Sequence, residues 1–433
     1  MSNPRELALK SLVKWSESSS FSNIETNTVL TRNTLSEADA SLYSMLFKGV
    51  IEKCIYLDYA IKQYSKIPNS KIDTETKNIL RLSIYQLLFC DRIPEYSAVN
   101  EGVNLAKKRS KGFVNGLLRS FLRANKRIKL PKNEDEAFCV KNSIPSDLFE
   151  LFIKSFDKET AKEILSYGNE KKYLCLRVNT LKVTENIIEE KLKNRGYVSE
   201  KSTLANDMLL CDCPISAIKD LIDNGEIFIQ DESSRIASQI ADAKEGQAII
   251  DTCACPGGKS FSMAIDMKNQ GKLYSYDIHK NKLSLIERGA LRLGIDIIKT
   301  GEQDARALIE EHKGAFDRVL CDVPCSGLGI IFKKPEIKYK SIEDINKLPQ
   351  IQLDILNNAS KYVRVGGYLI YSTCTLNKEE NQDNIEKFLL ENSDFVAENF
   401  QVGNINSQGG VYTFLPHRDK TDGFFVAKMR RVK

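Results

Sequence analysis

No run of apolar residues in this 433-residue chain approaches the roughly 18 that a membrane-spanning helix requires. The first ten residues carry Arg5 and Glu6 where a secretory leader would have its apolar core, so a soluble, cytoplasmic protein is expected. Histidine is scarce: His279, His312 and His417 are too far apart in sequence to complete a local zinc motif. The close cysteine pairs, Cys211/Cys213 and Cys253/Cys255, have one intervening residue rather than two, and no metal is expected. The eleven cysteines are odd in number and lack a secretory context, which points to reduced thiols. Neither a G-x-G-x-x-G turn nor a G-x-x-x-x-G-K-[ST] loop is present, which speaks against dinucleotides and nucleoside triphosphates. Internal repeats and low-complexity tracts are missing too.

What is there is the composition of a folded protein, 42% hydrophobic and 28% charged, with a modest net charge of +5. Its length suits two to four domains at roughly 100–200 residues each. From Pro4 to about Arg127 the spacing is helical: Leu42, Leu46, Val50, Cys54, Leu57 and Ile61 form one apolar stripe. Residues 73 to 90 begin with Asp73 as N-cap and run through Ile79, Leu80, Ile84, Leu87 and Leu88. Lys107 to Lys129 holds nine Lys or Arg and no Asp or Glu, with Phe113, Leu117, Leu118, Phe121 and Leu122 as a buried face. On charge alone, a solvated helix surface and a phosphate-holding one are both open.

Pro131 to Pro145 reads as a linker, followed by helical spacing from Leu148 to Leu165 and then a small α+β module. Strands are predicted at Tyr173–Val178, Met208–Cys211 and Ile227–Ile229, and helices at Thr184–Lys193 and Ala217–Ile222. From Gly246 onward, apolar runs ending at Asp251, Asp277, Asp322 and Ser372 alternate with helical segments. That alternation predicts a doubly wound parallel sheet with ligands at the carboxyl ends of its strands. The expected domains are 1–130, all-α; 131–240, linker, helices and α+β module; and 241–433, α/β and Rossmann-like.

Chemistry concentrates at those strand ends. Cys253-Ala254-Cys255-Pro256-Gly257-Gly258-Lys259 is a glycine-rich turn between strand and helix, and Asp277 follows Gly257 by 20 positions. The turn lets backbone approach a ligand, and the acid suits ribose hydroxyls, so a nucleoside cofactor without pyrophosphate is the better fit. A lone cysteine in a reduced chain is ordinarily inert core, as expected for Cys54, Cys90 and Cys321. Cys325, in Asp322-Val-Pro-Cys-Ser-Gly327, and Cys374, in Ser372-Thr-Cys374, occupy predicted loops at strand ends instead, where two thiols would face one crevice.

From about residue 170 onward the chain resembles the Sun family of RNA 5-methylcytosine methyltransferases. The resemblance rests on Arg177-Val-Asn-Thr180, Gln230-Asp-Glu-Ser-Ser234, Cys253 to Lys259, Asp277, Asp322 to Gly327, Lys334-Pro-Glu-Ile-Lys338, Tyr371-Ser-Thr-Cys374, Glu379-Glu-Asn381 and Asp422-Gly-Phe-Phe425. The first 127 residues resemble the helical NusB-type RNA-binding domain, notably Leu87 to Pro94 with Tyr96, Val99-Asn-Glu101 and Phe113-Val-Asn-Gly116. Cys255 and Val323 stand where the family usually has Ala, Tyr339 where Trp is common and Thr375 where Ser is usual. None of these removes a candidate catalytic group, and Cys255 is assigned no catalytic role.

The resemblance implies S-adenosylmethionine as cofactor, held by residues 253 to 259, Asp277, Asp304 and Asp322. It implies Cys374 as nucleophile toward carbon 6 of cytosine, Cys325 as its partner in release, Asp322 on the base edge and Lys259 as orienting cation. RNA contacts are expected from Lys107, Lys108, Arg109, Lys111, Arg177, Asn179, Lys334 and Lys338. The NusB-like half favours small-subunit ribosomal RNA, free or in an assembling particle, and a monomer is expected. Rival outcomes are the same chemistry on transfer or large-subunit RNA, and a non-catalytic RNA-binding factor. An amide-nitrogen methyltransferase would carry Asn/Asp-Pro-Pro-aromatic, where this chain has Asp322-Val-Pro-Cys325.

Overall fold

The computed structural model describes residues 3–18, 22–169 and 173–433. Contacts divide them into two compact units: residues up to Ser166 together with Ile331–Lys340, and Tyr167–Ile330 together with Ser341–Lys433.

The first unit is helical. Helix Thr74–Phe89 starts at Asp73, whose carboxylate accepts from Thr76 N–H, and Glu37–Glu52 starts at Ser36, which accepts from Asp39 N–H. Each such cap is worth about 1 kcal/mol. The apolar stripe from Leu42 to Ile61 is split at Lys53 into Glu37–Glu52 and Cys54–Tyr64, yet Leu46, Val50, Cys54, Leu57 and Ile61 still feed one core. Ile79, Leu80 and Ile84 join them there, as do Leu117, Leu118 and Phe121. Burial of each large side chain contributes about 1.5–3 kcal/mol. The expected linker after Pro131 contains helix Glu134–Asn142, because Asn133 caps it through Asp135 and Glu136 N–H groups and three acids fill its first turn. That helix and the two that follow, Ser146–Ser155 and Lys158–Ser166, belong to the first unit, whereas the sequence groups them with the α+β module.

The segment Ile331–Lys340 is anchored in this unit by polar groups. Glu336 accepts from Ser22 N–H at 3.1 Å and Ser22 Oγ at 2.7 Å. Lys338 Nζ donates to Glu52 O at 2.7 Å and Tyr339 Oη to Ile51 O at 2.9 Å. The Tyr339 ring meets Trp15 edge-on at 5.4 Å.

The second unit opens with an antiparallel sheet of β1 (Leu174–Val178), β2 (Ser199–Lys201), β3 (Met208–Cys211) and β4 (Ile227–Ile229), ordered β2-β3-β1-β4. The edge strand Ser199-Glu-Lys201 has no apolar residue and so no alternation to find in the sequence. The larger sheet contains parallel strands β5 (Ala248–Asp251), β6 (Lys272–Asp277), β7 (Ile298–Glu302), β8 (Phe316–Asp322) and β9 (Val363–Thr373). After β10 (Phe395–Ala397) a small ribbon, β11 (Gln401–Val402) with β12 (Ile405–Asn406), precedes β13 (Val411–Phe414) and β14 (Phe424–Arg431). The order is β10-β14-β9-β8-β5-β6-β7, with β13 on β14 and β14 antiparallel to β9.

Neighbouring strand residues feed opposite faces. Ile249, Leu320 and Ile370 pack with Ile236, Met263 and Ile286, while Ile250, Val319 and Leu369 pack with Leu356 and Phe388. Helices therefore cover both sides, as the continuous apolar runs predict. Chain direction across the sheet reverses between β5 and β8, and this switch point opens a crevice at their carboxyl ends. Among the described residues, no helix is long and apolar enough to cross a membrane.

Candidate active site

At the end of β5 the chain turns through Thr252 to Gly257 into helix Gly258–Asp266. Gly257 has φ +109°, and a Cβ there would meet the Phe261 ring at 2.5 Å, so the turn requires glycine. Gln230 pins the helix start: its Nε2 donates to Gly258 O at 2.9 Å and its Oε1 accepts from Ser262 Oγ at 2.7 Å.

Three carboxylates follow three strand ends. Asp251 is fully buried; Ser260 Oγ donates to its Oδ2 at 2.7 Å, while Oδ1 has no hydrogen-bond partner. Burial raises its pKa to about 7. Asp277 accepts from Cys255 N–H at 3.1 Å and His279 N–H at 2.9 Å. Burial works against its ionisation, but the His279 and Cys255 hydrogen bonds prevail and hold its carboxyl below the ordinary range. Asp304 lies two residues beyond β7 and is held low by Arg306, whose guanidinium sits 2.7 Å away. Gly301 is a β7 residue facing Tyr276 across the ladder. A Cβ at Gly301 would meet that ring at 2.7 Å, which is why a residue of poor strand propensity stands there.

The ends of β8 and β9 complete the crevice. Asp322 takes Lys259 Nζ at 2.7 Å on one oxygen and Ser372 Oγ at 2.8 Å on the other. Lys259 Nζ also reaches Ser234 Oγ at 3.2 Å. Burial disfavours the Lys259 ammonium, yet the Asp322 carboxylate outweighs it and keeps its pKa above the ordinary value. Cys325 and Cys374, on the loops after β8 and β9, bring their Sγ atoms within 3.3 Å. The hydrogen bond to Cys374, together with burial, pushes the Cys325 thiol well up, and either sulfur can be the donor to the other. Cys321, buried in β8, is pushed to about 12 by burial and is inert. Cys255 is also pushed to about 12, by burial and Asp277.

The structure thus gathers Lys259, Asp322, Cys325 and Cys374 around one crevice, with the 253–258 turn and Asp277 beside them. Several residues expected on RNA lie elsewhere. Arg177 is wholly buried, paired with Asp207 at 3.1 Å and Asp266 at 3.3 Å. Asn179, also buried, donates to Gly225 O at 2.8 Å and Leu293 O at 2.9 Å. Both brace the α+β module, and Lys338 is likewise 5% exposed; these three correct the expectation of RNA contact, because a shielded donor cannot reach a phosphate. Lys334 is half-buried in the same segment as Lys338. Lys107, Lys108, Arg109 and Lys111 are exposed, the first three in a turn preceding helix Lys111–Arg123 rather than on the helix itself. Lys107 pairs with Glu75.

The sequence alone assigns no role to Asp251, Ser372 or Glu380. Asp251 and Ser372 mark strand ends, a usable signal; the fully buried Glu380 sits within the Glu379-Glu-Asn381 motif and gives no hint of what it holds.

A doubly wound sheet with a glycine-rich turn after its first parallel strand and reactive groups at its switch point defines a nucleoside-cofactor methyltransferase. Comparison with known proteins gives the family: residues 238–430 match the model described as 16S rRNA methyltransferase RsmB/F, and residues 2–123 match the NusB family. The chain is 35% identical to the probable ribosomal RNA small subunit methyltransferase B of Bacillus subtilis (strain 168), over 99% of this chain and 98% of that protein. It is 32% identical to the probable ribosomal RNA small subunit methyltransferase B of Synechocystis sp., over 100% of both. The crystal structure of PH0851 superposes with a TM-score of 0.83 at 26% identity, over 100% of this chain and 99% of that one. The chain belongs to the RsmB/F methyltransferase family and carries a NusB-like domain at its N-terminal end.

Proposed function

We propose that the protein transfers a methyl group from S-adenosylmethionine to carbon 5 of a cytosine in 16S ribosomal RNA, through a covalent bond between Cys374 and the base. The observation that carries this is the Cys325–Cys374 pair, 3.3 Å apart beside the Lys259–Asp322 ion pair. Carbon 5 of cytosine is a poor nucleophile, and adding a thiolate to carbon 6 makes it electron-rich. When bound, S-adenosylmethionine supplies the methyl group on an electrophilic sulfonium. The residues present fit it: the close-approach turn at Gly257–Gly258, the unpartnered buried oxygen of Asp251 for its ammonium group, and Asp277 for its ribose. Asp304 would serve the adenine end.

Cys374 Sγ attacks carbon 6 while Asp322 holds the amidine edge and favours a proton on nitrogen 3; Lys259 steadies that carboxylate. Once Cys374 is bonded to carbon 6 it no longer takes a hydrogen bond from Cys325 as a thiolate, and the largest cause that holds the Cys325 thiol high is removed. Cys325 then gives up its proton to solvent more readily, and the resulting thiolate takes the carbon 5 proton as the electron pair of that bond expels Cys374 from carbon 6 as thiolate. The target cytosine must leave its stack to reach a strand-end crevice, which favours looped or locally opened RNA. The exposed turn at Lys107–Lys111 supplies phosphate-holding charge, and we place the protein in the cytoplasm as a monomer acting on ribosomal RNA, free or in an assembling particle.

The test is incubation with labelled S-adenosylmethionine and unmethylated small-subunit, large-subunit and transfer RNA, with bisulfite mapping of the product. A single protected cytosine in small-subunit RNA is expected. Modification of another RNA moves the substrate, and no transfer with any RNA or assembling particle sinks the reaction.

A further inference from the structure

The two thiols stand on separate loops, and 3.3 Å between their sulfurs has to be maintained by something other than the sulfurs. Each cysteine is followed by a hydroxyl residue, Ser326 after Cys325 and Thr375 after Cys374, and the two hydroxyls are 2.6 Å apart with both residues fully buried. Beneath them lies Glu380, also 0% exposed. Its Oε1 accepts from Ser326 Oγ at 2.5 Å and Asn377 Nδ2 at 3.1 Å. Its Oε2 accepts from Ser326 N–H at 2.9 Å and Gln352 Nε2 at 2.8 Å. Both oxygens face donors only, the pattern a carboxylate satisfies and an amide cannot. Gln352 is not free to turn over, because its Nε2 also donates to Pro324 O at 3.0 Å and its Oε1 takes Asn384 Nδ2 at 3.2 Å. With Ser326 donating to Glu380, the Thr375 hydroxyl must donate to Ser326, so the chain of bonds runs from the Cys374 loop through the Cys325 loop into one buried charge. Thr373 and Asn381 tie the same loop from the other side: Thr373 Oγ1 meets Asn381 Oδ1 at 2.6 Å, and Asn381 Nδ2 donates to Thr375 O at 3.0 Å.

We propose that Glu380 is a positioning residue of the active site, which through Ser326 and Thr375 clasps the two cysteine loops and sets the distance between Cys325 and Cys374. The catalytic consequence rests on the two-cysteine reaction proposed for this site; the geometric claim does not. Reacting groups displaced by about 1 Å can lose about 100-fold in rate, and that loss is expected in kcat rather than KM, because Ser326, Thr375 and Glu380 are fully buried and none of them is among the residues assigned to the base or the cofactor.

The test uses the full chain and a probe of thiol spacing that needs no RNA. Phenylarsine oxide condenses with two thiols at once, forming two arsenic–sulfur bonds and releasing water, and peptide mapping identifies the bridged pair. Wild type should bridge Cys325 to Cys374, with Cys325→Ala as the blank. Glu380→Gln should lose most of that bridging and about 100-fold in kcat, with S-adenosylmethionine affinity and KM for RNA little changed. Thr375→Val removes one hydroxyl and no charge, so it decides the matter if Glu380→Gln fails to fold; Thr375→Ser, which keeps the hydroxyl, should recover what Thr375→Val loses. Bridging at the wild-type rate in both Glu380→Gln and Thr375→Val overturns the proposal. Bridging lost in both, in a protein whose wild type methylates no RNA, upholds the clasp and discards the reaction instead.

Discussion

The two units use polar side chains in opposite ways. In the methyltransferase unit the important charges face inward: Lys259 and Asp322 pair in the crevice, Asp251 and Glu380 are buried under strand-end loops, and each element is tied to a neighbour. In the helical unit the core is Leu, Ile, Val and Phe, and the basic residues Lys107, Lys108, Arg109 and Lys111 stand in solvent. Covalent chemistry needs donors and sulfurs fixed within fractions of an ångström, and buried hydrogen bonds give that fixity. Holding a polyanion needs only charge within reach, and exposed lysines give it without fixed geometry. Substitutions in the two units should therefore differ in kind, one set all-or-none and the other graded.

The largest effect belongs to the crevice. Cys374→Ala should abolish methyl transfer, because no other thiol among the described residues adjoins Cys325 within hydrogen-bond reach. Cys325→Ala should leave the carbon 6–sulfur bond formed but slow to break, giving an RNA–protein adduct that survives a denaturing gel. Equal loss of activity with no adduct from either variant would break the division of labour between the two sulfurs.

The same contrast explains what can be foreseen from sequence. Helix caps such as Asp73 and the alternation of apolar runs with helical segments are local signals, and they suffice for the helical half and the parallel sheet. Cys325 and Cys374 are legible because they follow apolar strands rather than lie within them. Residues expected on RNA mislead in part: Arg177, Asn179 and Lys338 belong to shared motifs yet are buried and hold the fold together. A motif records that a residue type is needed, not whether solvent reaches it. Glu380 escapes for the converse reason, since its four donors come from Ser326, Gln352 and Asn377, and only the tertiary fold brings them to one carboxylate.

A graded effect is expected from the helical unit. Replacing Lys107, Lys108, Arg109 and Lys111 together by Gln should weaken RNA binding by about 100-fold at low salt and flatten the dependence of affinity on salt, by about 0.7 in the log–log slope for each phosphate of single-stranded RNA that is no longer neutralised. Methyl transfer at saturating RNA should persist. An unchanged slope would make the run a solvated surface and remove the contrast between the two units.

The smallest effect tests a place where the helical unit breaks its own pattern. Lys338 is buried there with Glu52 O as partner, and burial lowers its pKa to about 8 from the ordinary 10.5. At neutral pH the ammonium is charged in both folded and unfolded chains, so its burial is a net cost on the order of 3 kcal/mol. Between about pH 8 and 10.5 the folded chain holds fewer protons than the unfolded one, so this group's contribution to stability rises with pH across that window. Lys338→Met removes the cost but leaves the Glu52 carbonyl without its donor, worth about 1–3 kcal/mol. The variant should therefore be more stable than wild type by about 1 kcal/mol at pH 7, and that advantage should shrink and then reverse as pH passes through the window. Denaturant unfolding of both chains at about pH 7 and about pH 10 measures the difference, and a difference independent of pH would mean that Lys338 is as well solvated as the exposed lysines of the basic turn.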